Sequence, residues 1–168
     1  MKGLPTHATA SRIIGSPVGD LVLFATRKGL AALFFGHRVE DKSSLPGDDT
    51  ENEHLNAAEA QLGEYFAGKR KDFRVSLDVR GTRFQESVWE QLGQIPFGRT
   101  CSYGDIARRM ENPGAVRAVG LANGSNPVSI IVPCHRVIGA DGSLTGFGGG
   151  LDIKQKLLVH EGVLLATF

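Results

Sequence analysis

Cys134 stands between Pro133 and His135, followed by Arg136 and Val137. Only the thiolate of a cysteine is strongly nucleophilic, and a free thiol with a pKa of about 8.5 supplies little of it at neutral pH. A base within hydrogen-bond reach, directly or through one water, raises that fraction. His135 is adjacent in sequence. In an extended segment, however, neighbouring side chains point to opposite faces, so contact with Cys134 needs a turn or a bridging water. A histidine base also wants an acceptor that fixes its tautomer, and Glu161 is the nearest candidate in chain order. The set admits nucleophilic catalysis at Cys134. It equally admits a small buried cysteine and a solvated carboxylate at a helix end. A metal site would need more ligands at zinc spacing than Cys101 and His160 provide, so none is expected. Cys101, in the run Thr100-Cys101-Ser102, reads as structural.

A second group is cationic. Residues 99–136 carry Arg99, Arg108, Arg109, Arg117 and Arg136 against only Asp105 and Glu111. Arginine favours planar contacts with phosphates and bases. Solvated arginines on helices would look the same.

These residues need elements to hold them. Thr82 is placed to cap a helix with Phe84, Val88, Leu92 and Ile95 as its apolar stripe, ended by Pro96-Phe97-Gly98. Ser102 is placed to cap a short helix, YGDIARRM, that stops at Asn112-Pro113-Gly114. A second short helix, AVRAVGLAN, follows, and the pair suggests a helix-turn-helix. Ile130-Ile131-Val132 reads as a buried strand delivering Cys134. A glycine-rich loop, 139–150, precedes an amphipathic helix ending at His160-Glu161-Gly162. The first half differs. SRIIGS, DLVLFAT and LAALFFG read as antiparallel strands over 11–36, 40–52 as a surface loop, 53–67 as a helix and 73–79 as a further strand. The step Arg80-Gly81-Thr82 reads as a boundary between domains 1–80 and 81–168.

The chain has 168 residues and 18.0 kDa, with 41% hydrophobic and 22% charged residues, a composition that excludes wholesale disorder. No apolar run approaches membrane-spanning length, and the leading MKGLPTHATASR has no apolar core of a signal peptide. Two cysteines cannot build a disulfide framework. A cytoplasmic protein without a membrane partner is expected. The net charge of +1 gives no global sign of a polyanionic partner, although residues 1–80 are neutral and the excess lies in the second half.

The run PCHRV at 133–137, preceded by Asn126-Pro127-Val128, resembles the active-site signature of O6-alkylguanine-DNA alkyltransferases. The resemblance extends through SYGDIA (102–107), NPGAVRAVGLANGSNP (112–127), TGFGGGL (145–151) and the HEG ending at 162. It spans residues 82–162 in register, whereas residues 1–80 match mainly in layout. It implies an α/β (α+β) protein, a strand-rich ribonuclease-H-like roll followed by a winged-helix-like helix-turn-helix catalytic domain. It implies that Cys134 accepts an alkyl group from O6 of guanine, and leaves O4-alkylthymine open as a second substrate. It implies His135 as base through a water, Glu161 as its orienting partner, and Asn126 as support for the turn beneath the cysteine. Arg117 would enter the duplex in place of the flipped base, and Tyr103 would press on the backbone and donate to that base. The helix around Ala115, Ala118 and Gly120 would lie in the minor groove, where small residues permit close approach, although close helix packing would select the same residues.

Val137, Phe147 and Gly148 would line the substrate pocket. Many relatives carry a tyrosine and a hydroxyl-bearing or alanine residue near Phe147 and Gly148, and the departure here suggests a roomy pocket. No cofactor is implied. The partner is double-stranded DNA containing O6-alkylguanine, engaged by a monomer, with cooperative binding left open. A stable thioether on Cys134 implies one turnover per molecule. Three rivals remain from other classes. A DNA-binding protein that only marks alkylated bases would lack the cysteine. A transcription regulator would need an effector region, and a cysteine hydrolase a distal His and Asn.

Overall fold

Between the first two apolar runs Ser16-Pro17-Val18-Gly19 reverses the chain. Gly19 takes a φ of +96°, and Ser16 Oγ donates to the Gly19 carbonyl at 2.6 Å. The computed structural model describes residues 3–164. Its chain divides into two units, Met1–Arg80 and Gly81–Phe168.

In the first unit β1 (Ala10–Ile14), β2 (Leu21–Ala25) and β3 (Leu30–Phe35) form an antiparallel sheet in that order, with Ile13 opposite Val22 and Leu23 opposite Leu33. β2 and β3 are buried along their whole length, so both faces of the sheet must be covered. Val22, Phe24, Ala32, Phe34 and Val39 cluster with Ala8 and Leu45, which brings the polar 40–52 segment onto the sheet. Helix α1 (Glu53–Phe66) starts where Asn52 Oδ1 accepts the N–H groups of His54 and Leu55, both at 3.0 Å. It buries Leu55, Ala58, Leu62 and Tyr65.

The expected strand over 73–79 is reduced to one parallel bridge between Leu30 and Leu77. The reason lies in Gln61 of α1. Its side-chain amide donates to the Arg74 carbonyl at 3.1 Å and accepts the Arg74 N–H at 2.8 Å. Those groups are then satisfied without a ladder, and Leu77 remains 39% exposed rather than packed.

The second unit is helical. Thr82 opens α2 (Arg83–Gly93) through a capping box with Gln85, and Ser102 opens α3 (Tyr103–Arg109) through one with Asp105. A 3-10 turn at Pro113–Ala115 leads into α4 (Val116–Gly124). Helices α2, α3 and α4 pack on one another, and the Trp89 indole donates to the Ala122 carbonyl at 2.9 Å across the α2–α4 contact. Gly81 must lack a side chain, since a Cβ there would lie 2.5 Å from the Trp89 ring. Strands β4 (Cys101–Ser102) and β5 (Val137–Ile138) make a two-residue parallel ladder, and α5 (Leu151–His160) closes the unit. The architecture is the expected mixed α/β class, an antiparallel sheet with a helix followed by a helix-turn-helix unit. No helix among the described residues is long and apolar enough to cross a membrane.

Candidate active site

The segment after α4 also departs from expectation. Residues 130–132 do not form a strand. Asn126, fully buried, donates from Nδ2 to the Val132 carbonyl at 2.8 Å and accepts the Val128 N–H on Oδ1 at 3.0 Å. Val132 N–H returns to the Val128 carbonyl at 3.0 Å, which closes a tight loop around the amide. Buried Ile130 is held at a φ of +71°, a conformation costing a β-branched residue about 1–3 kcal/mol. One side-chain amide thus replaces the hydrogen bonds a strand would have supplied. Replacing Asn126 with alanine leaves the buried Val128 N–H unpaired and the Val132 carbonyl with only the Cys134 N–H, and a loss of about 2 kcal/mol is expected in urea unfolding with an unchanged m value.

The chain leaves this loop through Pro133 into a 3-10 turn, Cys134–Arg136, with the Arg136 N–H on the Pro133 carbonyl at 3.0 Å. The reactive segment is therefore a turn and not an extended strand. That removes the requirement for Cys134 and His135 to face opposite ways. Both are buried, Cys134 at 4% exposure and His135 at 0%.

Glu161 caps the C-terminal end of α5 and receives two neighbours of the same turn. His135 Nε2 lies 2.8 Å from Glu161 Oε1. Arg136 donates from Nε to Oε2 at 2.9 Å and from Nη2 to Oε1 at 2.8 Å, while Nη1 donates to the Ile95 carbonyl at 2.6 Å. The Arg136 guanidinium also lies over the Phe97 ring, 5.8 Å from its centroid. Burial alone would raise the Glu161 carboxyl, but the hydrogen bonds and charges of His135 and Arg136 overcome it and bring it down to about 2. Glu161 is therefore ionised at neutral pH and can only accept, so Nε2 of His135 carries the hydrogen. Nδ1 is left as the lone-pair nitrogen, buried and without a hydrogen-bond partner. Burial pushes the His135 pKa down, Glu161 pulls it up, and Arg136 and Lys154 push it down again. The net direction keeps the imidazole neutral and able to take a proton.

Two charged residues of this site escaped the sequence reading. Arg136 belongs to the cationic window, yet it is 5% exposed and serves as the internal counter-ion of Glu161. Lys154 is wholly buried on α5, donating to the Val137 carbonyl at 2.6 Å and the Thr145 carbonyl at 2.7 Å. Burial lowers its pKa to about 8, against an opposing pull from the charge of Cys134. An ammonium at 154 and a thiolate at 134 favour each other. Cys101 is different: burial pushes its thiol up, which suits an inert packing cysteine. Among the described residues no group of three or more His, Cys, Asp or Glu side chains is placed to hold a metal ion.

The remaining expected site residues divide between the pocket side and the surface. Val137 is buried on β5, and Phe147 and Gly148 are half-buried in the glycine loop. Tyr103, half-buried at the start of α3, has its hydroxyl 2.9 Å from Thr145 Oγ1. Arg117 and Ala118 lie on the exposed side of α4, apart from the buried network, and Ala115 is half-buried in the turn before it. Gly120 faces inward, where a Cβ would touch the Tyr103 ring at 3.8 Å. Ala122, on the same helix, is buried, and its carbonyl accepts from the Trp89 indole. Leu121, one turn after Arg117, is instead 73% exposed.

The sequence model of the DNA-binding domain of 6-O-methylguanine DNA methyltransferase matches residues 83–163, and that of its ribonuclease-like domain matches residues 11–79. The chain is 52% identical over 150 residues to the methylated-DNA–protein-cysteine methyltransferase of Methanosarcina mazei, covering 89% of this chain and 94% of that one. It is 52% identical over 153 residues to the protein of the same name from Mycolicibacterium paratuberculosis, covering 89% and 90%. Among solved structures it is similar to Mycobacterium tuberculosis OGT in complex with DNA, with a TM-score of 0.82, 46% identity and coverage of 92% and 94%. It is also similar to an O6-methylguanine DNA methyltransferase from Methanococcus jannaschii, with a TM-score of 0.63, 30% identity and coverage of 94% and 96%. The two family matches fall on the two units in order, and the second contains the buried cysteine turn with its histidine and glutamate: the chain belongs to the 6-O-methylguanine DNA methyltransferase family.

Proposed function

We propose that this protein repairs O6-alkylguanine in duplex DNA by moving the alkyl group to Cys134, once per molecule. The observation that carries the reading is the neutral, buried His135 beside Cys134, tied through Nε2 to an ionised Glu161 with Nδ1 open to a proton. His135 takes the thiol proton, directly or through a water. The thiolate sulfur attacks the alkyl carbon, the carbon–O6 bond breaks, and its electron pair stays with guanine. The proton returns to the base, with Tyr103 donating to it as it leaves. The product is unmodified guanine and a thioether, which a second thiol does not readily cleave.

A stacked base cannot reach a buried thiol, so the nucleotide must leave the helix. Its site of departure is assigned to α4 in the minor groove, with Arg117 filling the gap and Leu121 adding an apolar contact beside it. Unstacking costs a few kcal/mol, so losing the side chain that compensates it, in Arg117→Ala, is expected to slow transfer about 10- to 100-fold in single-turnover assays. Affinity for undamaged duplex should change much less. With Arg136 internal and Arg108 paired to Asp105, the 99–136 window leaves Arg99, Arg109 and Arg117 to meet phosphates, so the salt dependence of duplex binding should be shallow.

The test is stoichiometry. Excess duplex containing O6-methylguanine should lose one lesion per protein and then no more. Continued turnover, or no loss of lesion, would contradict the proposal.

A further inference from the structure

Thr145 is held at two points. Its carbonyl accepts from Lys154 Nζ at 2.7 Å, and its hydroxyl lies 2.9 Å from the Tyr103 hydroxyl. The same Lys154 ammonium donates to the Val137 carbonyl at 2.6 Å, on the strand that directly follows the Cys134–Arg136 turn. One buried cation therefore ties the glycine-rich loop to the cysteine segment, and Thr145 ties that loop to α3. A lysine in this position loses its water for two neutral carbonyls, where a methionine of similar length would pack without that cost. The hydroxyl contact has a direction to settle as well. Tyrosine and threonine hydroxyls each donate or accept. If Thr145 donates to the Tyr103 oxygen, the phenolic hydrogen is released for another acceptor. If Tyr103 donates to Thr145, it is consumed.

We propose that Thr145 and Lys154 are positioning residues for the transfer. Lys154 holds the loop against the cysteine segment, and Thr145 donates to Tyr103 so that the phenolic hydrogen points at an acceptor on the extruded purine. The proposal rests on the transfer reading above and names the device that orders its pocket. It also supplies a hydroxyl in this loop, where Phe147 and Gly148 offer none.

The experiment measures single-turnover transfer at saturating methylated duplex, alongside amide hydrogen exchange of residues 139–150 in the free protein. Thr145→Val keeps the shape and removes the hydroxyl. It should slow transfer about five- to tenfold, the worth of one hydrogen bond, with duplex affinity unchanged. Thr145→Ser should restore the parent rate. Combined with Tyr103→Phe, Thr145→Val should add no further loss, because the two act as one unit. Lys154→Met should speed exchange across 139–150, while Thr145→Ser should not. A parent rate in Thr145→Val, multiplying effects in the double variant, or unchanged exchange in Lys154→Met would each overturn the proposal. Should the parent protein itself fail to transfer, the transfer reading falls, and the exchange measurement still decides whether Lys154 tethers the loop.

Discussion

Cys134→Ser is expected to abolish alkyl transfer while leaving duplex binding intact. The serine hydroxyl fits where the thiol sits, in a turn fixed by Asn126 and Pro133, so the fold has little reason to change. What is lost is the nucleophile: a serine oxygen ionises far less readily than a thiol and attacks a saturated carbon poorly. Removing the nucleophile from a catalytic constellation costs on the order of 10⁶ in rate, which places the variant at background. The duplex contacts proposed above lie on exposed residues of α4, which the substitution does not touch. Cys101→Ser provides the control. That thiol lies on β4, with burial holding it protonated, and its replacement should leave transfer at the parent rate. Loss of transfer in Cys101→Ser would assign the chemistry to the wrong sulfur.

The second large effect is expected at Glu161. Glu161→Gln keeps the size and an acceptor for His135 but removes the charge that Arg136 and His135 share. Breaking a buried ion pair by neutralising one member leaves the other uncompensated, at about 3–5 kcal/mol of stability. The pH dependence gives the sign. The carboxyl titrates near 4.5 in the unfolded chain and near 2 when folded, so its stabilisation is complete above 4.5. It is lost as pH falls from 4.5 towards 2, and it amounts to something on the order of 3 kcal/mol. Urea midpoints measured from pH 3 to 7 should fall on the acid side in the parent, and this acid limb should flatten in Glu161→Gln. Transfer should slow too, since the imidazolium formed on proton uptake loses its anion. A variant with parent stability at pH 7 would remove Glu161 from the centre of the site.

Much of this was legible from residue types in order. Thr82 and Ser102 announced two helix starts because a cap depends on a side chain beside the first turn, and the structure completes each with a box partner, Gln85 and Asp105. The apolar runs within 11–36, separated by turn residues, announced the sheet. Cys134, His135 and Glu161 were legible as a set, but their meeting depends on a turn created at a distance. Asn126 reaches six residues ahead to Val132, and no local propensity of Ile130-Ile131-Val132 records that. Gln61 silences the 73–79 strand in the same way, from 13 residues away. Charge was harder still. Arg136 looked like one more surface arginine, although it stood two residues from the cysteine and had Glu161 as a possible partner. Lys154 looked like an ordinary helix lysine, yet neither residue is in water.

These corrections sharpen the electrostatic picture. The second unit carries its cations in two classes, Arg136 and Lys154 inside the reactive site and Arg83, Arg99, Arg108, Arg109, Arg117 and Lys156 on the surface.

The central claim is that one sulfur receives the group and keeps it. Duplex DNA bearing isotopically labelled O6-methylguanine, incubated with protein in slight deficit and followed by peptide mapping, tests it directly. The account predicts one labelled methyl group per chain, on the peptide containing Cys134, with Cys101 unmodified. Label on Cys101, more than one group per chain, or label released to solution as the lesion disappears would contradict it.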